Sequence, residues 1–104
     1  MKKRILFVTE ASYLNTGYST YSNNVMKRMQ ESNKYEIAEL SIYGKEDHPD
    51  RKKISWKNYP NVPKISEDLK KYNMHPENQF GAWRFERTCL DFKPDVVCVP
   101  PNEP

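Results

Sequence analysis

The stretch from Glu10 to Tyr18 carries residue types that bind an anion. Gly17 lets a backbone approach a ligand closely. A helix begins near Tyr18, so free amides and the positive end of a helix dipole converge at this turn. Asn15, Thr16, Ser19 and Thr20 add side-chain donors around it. The turn has one glycine, not the three of a dinucleotide fingerprint, and lacks the lysine of a P-loop. The plain alternative is that Gly17 shapes a turn and Ser19 caps a helix. Glu10, at the end of the preceding apolar run, is placed to accept from a sugar hydroxyl or to stand in solvent. Asn102 and Glu103 follow the last apolar run and belong to the same edge.

Other reactive side chains read as structural. His48 and His75 lie in loops rich in charge and proline, where a histidine without a visible partner is a surface residue. Cys89 falls in an expected helix and Cys98 in an expected strand. Their spacing suggests neither a metal site nor a disulfide framework, so both are read as small core residues. Trp83, Arg84, Phe85, Glu86 and Arg87 form a dense patch of a kind that binds nucleic acid or sugar. At helical spacing, however, Trp83 and Phe85 belong to the core and Arg84 and Arg87 to the surface. No metal ligands and no catalytic residue are assigned.

These residues need elements to hold them. Ile5–Val8 is a short continuous apolar run, as in a strand buried on both faces of a parallel sheet. A helix follows from Tyr18, with Tyr21, Val25, Met26 and Met29 at the 3.6-residue period. Tyr35–Tyr43 reads as a second strand ended by Gly44. Residues 45–65 read as loop, with a weak strand hinted at by Ile54, Trp56 and Tyr59. Ser66-Glu67-Asp68 opens a short helix to about Tyr72. A stronger, well-buried helix is expected over 79–91, with a stripe of Ala82, Phe85, Cys89 and Phe92. After Lys93-Pro94-Asp95, Val96–Val99 is a second buried β run, ended by Pro100 and Pro101. Strands alternating with helices imply an α/β, Rossmann-like, three-layer domain with a mostly parallel sheet and right-handed crossovers. Ligands bind such sheets at the carboxyl ends of the strands. The loops 9–17 and 100–104 occupy that position.

Composition sets limits on this reading. A chain of 104 residues is one domain. Leu, Ile, Val and Phe total only 20 residues, which is low for a globular chain. A net charge of only +3 and 13 aromatic residues argue against disorder. A thin core that needs a partner surface is the reading that fits. The basic excess is local: segment 51–71 holds seven basic and two acidic residues. It is read as a solvated loop, with attraction of a phosphorylated or anionic acceptor as the functional alternative. Nucleic-acid binding is not expected. The run Ile5–Val8 is too short for a signal peptide or for a membrane span of about 20 residues, and a cytoplasmic location is the default expectation.

Two segments resemble a known group. Ile5-Leu6-Phe7-Val8-Thr9, a polar loop, and then Gly17-Tyr18-Ser19-Thr20-Tyr21 opening a helix look like the start of family-4 glycosyltransferases. Lys93-Pro94-Asp95-Val96-Val97 resembles a later strand of the same domain. The resemblance spans Arg4 to Val99, and segment 45–78 adds nothing to it. It implies the amino-terminal, acceptor-side domain of a two-domain GT-B enzyme. A second, carboxy-terminal domain would bind the nucleotide-sugar, which is the donor substrate rather than a cofactor. The first strand–helix loop closes over the donor phosphates in that family. Carried over, the role falls on Gly17, with Thr16 and Tyr18 beside it, and extends to Asn15 and Ser19. Many members have two adjacent glycines where this chain has Gly17-Tyr18, and a histidine where it has Pro100-Pro101. Residues 1–104 would then be a fragment, inactive alone. The alternatives are a standalone flavodoxin-like ligand-binding or signalling domain and a non-catalytic interaction module using the basic loop.

Overall fold

A computed structural model describes residues 2–14 and 17–99. The chain forms β1 (Lys3–Glu10), α1 (Gly17–Glu31), β2 (Tyr35–Lys45), β3 (Lys57–Val62), α2 (Ser66–Asn73), α3 (Phe85–Phe92) and β4 (Val96–Cys98). The fold is α/β, and all strand pairs are parallel, in the order β3-β2-β1-β4. β1 runs alongside β2 from Lys3 opposite Tyr35 to Glu10 opposite Ile42.

Alternating side chains of β1 and β2 feed two cores, one on each face. Ile5 and Ile37 pack with Met26 and Met29 of α1 and with Trp56. Leu6, Val8, Ala38 and Leu40 pack with Phe92 and Cys89 of α3. This makes three layers. The path follows from right-handed crossovers. The chain steps outward from β1 to β2 to β3 with α1, Ile54 and Trp56 on one face. It then returns across the opposite face through α2 and α3 to place β4 beside β1.

Several expectations change. β3, Lys57–Val62, is shifted three residues along the chain from the hint at 54–59, and it carries Pro60. Proline reads against a strand, but β3 is the edge of the sheet, where a missing amide donor is tolerated. β2 passes through Gly44 to Lys45, with Tyr43 at φ 63°. The single helix expected over 79–91 is instead a 3-10 turn, Pro76–Phe80, followed by α3. Gly81, at φ 105°, separates them in a conformation that favours glycine. That break turns the stripe: Thr88 and Phe92 are buried, whereas Ala82 and Phe85 are exposed. Tyr21 on α1 is 71 % exposed, and the sheet-facing positions are Ser19, Ser22, Met26 and Met29. β4 is not a buried run. It is a three-residue edge strand with Val96, Val97 and Val99 exposed. Trp83 is half-buried, edge-on to Tyr72, with the Arg87 guanidinium over its ring. Arg84 is half-buried and bridges to Glu46 at 2.8 Å.

Candidate functional site

The strand order places β1 between β2, which leads outward, and β4, which is reached by the return crossover. The crevice outside the carboxyl ends of β1 and β4 is therefore the point where the winding reverses and where open α/β sheets take ligands. Glu10 ends β1 there, half-buried. Gly17 is the first residue of α1, and a Cβ built on it would meet nothing within 4 Å. No packing demand of the described chain therefore calls for glycine at this position. Ser19 is fully buried and donates to the Leu14 carbonyl, so it fastens the loop to α1. Asn15, Thr16, Asn102 and Glu103 lie outside the described residues, as do Pro100, Pro101 and the side chain of Tyr18.

In the described part of the loop, residues 11–14, hydrogen bonds hold Ala11, Ser12 and Leu14. The Ala11 amide donates to the Ile42 carbonyl at 2.9 Å, and the Leu14 amide to the Ala11 carbonyl at 3.0 Å. The Ser12 carbonyl accepts from the Asn23 side chain of α1 at 3.3 Å. The Thr9 and Ser22 hydroxyls meet at 2.8 Å.

The centre of this arrangement is Glu39, a fully buried carboxylate in the middle strand. Its Oε2 accepts from the Ser12 amide at 2.8 Å and from the Ser41 hydroxyl at 2.7 Å. Its Oε1 accepts from the Ser12 hydroxyl at 2.5 Å and from Trp56 Nε1 at 3.0 Å. A buried carboxylate is tolerated only when so satisfied. The network continues outward. Asn58 donates to Ser41, and Arg51 Nε donates to Asn58 at 3.1 Å, which brings a guanidinium to the end of the chain. Glu39 did not stand out in the sequence. The signal was a slip of phase in β2, where Tyr35 and Ile37 are followed by Leu40 and Ile42. Both faces of a central strand are apolar there, and the acidic residue between Ala38 and Leu40 needs a buried partner.

Tyr13 projects from the same loop. A Cβ on Gly44 would lie 2.5 Å from the Tyr13 hydroxyl and 2.5 Å from Ser41 Cβ, so only glycine lets the loop sit this close to β2. The Tyr13 oxygen is buried and makes no hydrogen bond of normal geometry among the described residues. Burial, with the nearby Glu39 carboxylate, holds its pKa above that of an ordinary tyrosine. His48 is not a partnerless surface residue. Its ring lies 5.0 Å from that of Tyr13, and its Nδ1 accepts from the Asp50 amide. His75 is exposed, 3.6 Å from Glu77. Cys89 and Cys98 are free and half-buried.

Two recesses complete the picture. One of about 530 Å³ opens at the carboxyl side of β2 and β3, lined by Arg51, Lys64 and Arg84 among others. A larger groove, about 850 Å³, lies at the amino ends of the strands, the wrong edge for such a sheet. Four of its charged side chains pair with one another, Arg4 with Glu36 and Lys57 with Asp91 at 3.2 Å, and Lys2 donates to Asn33. Among the described residues no cluster of His, Cys, Asp and Glu could hold a metal ion, and no helix is long and apolar enough to cross a membrane. Comparison with protein families, curated proteins and solved structures gives no match for this chain.

Proposed function

We propose that this chain is the acceptor-side, Rossmann-like domain of a nucleotide-sugar-dependent glycosyltransferase of the GT-B type. The reading rests on the resemblance of its two ends to family-4 enzymes. The observation that carries it furthest is the placement of an anchored loop and the open amino terminus of α1 at the winding reversal of a β3-β2-β1-β4 sheet. That is the first half of the Rossmann strand order, whereas flavodoxin-like domains place their third strand on the other side of the first. The flavin-binding alternative therefore lacks topological support.

In this reading the α1 amides next to Gly17 face the donor diphosphate, where they offset charge as it grows on the leaving group. Glu10, Asn102 and Glu103 belong to the same edge and are the candidates for sugar contacts. The recess lined by Arg51, Lys64 and Arg84, against the two acidic residues Glu46 and Asp47, is the candidate position for a phosphorylated or otherwise anionic acceptor. A carboxy-terminal domain supplies the rest of the donor site.

The test is a titration of the ¹⁵N-labelled chain with UDP-, ADP- and GDP-sugars. Shifts confined to the Gly17–Tyr21 amides and the end of β1 are expected. A basic-loop interaction module would instead bind polyanions through segment 51–71 with steep salt dependence. That outcome, with the α1 amides unmoved, would displace the transferase reading.

A further inference from the structure

We infer that Glu39 is a positioning residue, a buried latch that sets the first strand–helix loop and thereby the direction in which the amino terminus of α1 presents its amides. In its functional part this rests on the crevice reading above; the latch itself does not.

The argument is one of donors and acceptors. Each carboxylate oxygen receives one donor that can turn and one that cannot. Oε1 takes the Ser12 hydroxyl and the fixed indole N–H of Trp56. Oε2 takes the Ser41 hydroxyl and the fixed amide N–H of Ser12. Only a group that accepts at both oxygens meets both fixed donors. A glutamine has the same shape, but its NH₂ must face either the indole N–H or the Ser12 amide. Through Ser12 the constraint reaches α1 as well, because the same residue's carbonyl is held by Asn23 of α1. One carboxylate thus ties together three elements: β2 through its own backbone, the approach to β3 through Trp56, and the loop that leads into α1. The chain from Arg51 through Asn58 and Ser41 supplies a positive group at its outer end.

This arrangement makes a specific demand on variants. If the indole donor is removed, a glutamine at 39 can turn its NH₂ toward the vacated side and donate to the Ser12 hydroxyl, leaving Oε1 for the Ser12 amide. Glu39→Gln should therefore be poorly tolerated alone and better tolerated with Trp56→Phe. A residue that merely filled space would show no such rescue.

The experiment measures amide exchange of Ser12 to Leu14 against Ile5 and Leu6 of β1, in the full chain, for the wild type, E39Q, W56F and the double variant. A hydrogen bond to a charged acceptor corresponds to a factor of about ten to a hundred in equilibrium. Exchange at Ser12 should rise by about that factor in E39Q and fall back toward the W56F level in the double variant, with β1 unchanged. Unaltered Ser12 exchange in a folded E39Q, or a double variant no slower than E39Q, overturns the latch. Should E39Q fail to fold, Ser12→Ala removes one donor only. Faster exchange at Leu14 then supports the latch, and an unchanged rate overturns it. A parallel titration with a UDP-sugar separates the two claims. Wild-type α1 amides that do not respond sink the crevice reading and leave the exchange result standing. Binding that E39Q leaves unweakened, despite a loosened loop, shows that the latch does not position the site.

Discussion

At the scale of single residues, the useful distinction is between glycines and hydroxyls that packing requires and those it does not. Gly44 is required, because Tyr13 and Ser41 occupy the space where its side chain would be. Gly17 is not, because none of the described residues comes within 4 Å of a Cβ built on it. Gly17→Ala should therefore leave stability unchanged or raise it by up to about 1 kcal/mol, through the better helix propensity of alanine. The same change should weaken nucleotide-sugar binding, since the added methyl stands where a ligand would approach. Thermal unfolding and titration of the one variant settle both points, and equal affinity with equal stability would leave Gly17 without a role. Tyr13 gives a prediction in pH. Its pKa is raised in the fold by burial and then by Glu39. The associated stability is complete below the ordinary tyrosine value of about 10 and is lost as pH rises through the higher folded value. Tyr13→Phe should cost less than about 1 kcal/mol at neutral pH, because the buried oxygen has no hydrogen bond of normal geometry to lose. It should also reduce the alkaline fall in melting temperature, though not abolish it, because burial raises Tyr59 and Tyr72 as well. Identical alkaline limbs for the two proteins would refute this.

Among the elements, α3 shows how the return crossover is fastened. Arg4 of β1 donates through Nε to the Phe92 carbonyl at 2.8 Å and lies over the Phe92 ring. Its backbone amide donates to Asp95 at 2.8 Å. On the other side, Asp91 accepts from the Tyr59 hydroxyl and pairs with Lys57, joining α3 to β3. The Tyr59 hydrogen bond, and then Lys57, lower the Asp91 pKa. The tie therefore stabilises the fold above the unfolded value of about 3.9 and fades as pH falls through the lower folded value. Asp91→Asn should melt below the wild type at pH 7, with the two curves converging below about pH 4. A gap that persists in acid would mean that packing, not charge, joins these elements. The elements themselves were largely legible. Ile5–Val8, the start of α1 and the Ser66 helix announce themselves by period and polar punctuation, although the N-cap of α2 is Ile65 rather than Ser66 and no side chain caps it. β3 was obscured by Pro60, which only its edge position allows. The α3 stripe was misphased because Gly81 was not read as a break. β4 was read as buried from the run Val96–Val99, because four apolar residues in a row carry no information about whether a neighbour exists on the far side. The site divides the same way: Gly17 and Glu10 fall where expected, whereas Glu39, its hub, is invisible without knowledge that its strand is central.

Over the whole molecule, the sheet has one anchored edge crevice and two thin cores. The ties seen among the described residues of the loop run to β2 and to α1. The β4 edge is different in kind: Val96 and Val97 are exposed on an edge strand, with Val99 exposed just beyond it. An exposed apolar edge is where a further surface would pack. The chemistry gives an independent reason for expecting one. Cleavage of a sugar–diphosphate bond needs donors around the whole leaving group, fixed before the charge develops and screened from water. The described residues offer one wall, the amino terminus of α1, and no cation of this chain is held at it by the contacts seen here. The two guanidinium groups of the recess at the carboxyl side of β2 and β3, Arg51 and Arg84, are committed to Asn58 and Glu46. One wall can bind weakly, but it cannot enclose a transition state. Residues 1–104 should therefore show nucleotide-sugar binding in the millimolar range, about 4 kcal/mol, with no release of nucleoside diphosphate above the uncatalysed rate. The assay is product formation over hours at saturating donor, with and without candidate acceptors. Detectable turnover by the pure chain would show that the one wall suffices, and would overturn the division of labour between two domains on which the proposed function rests.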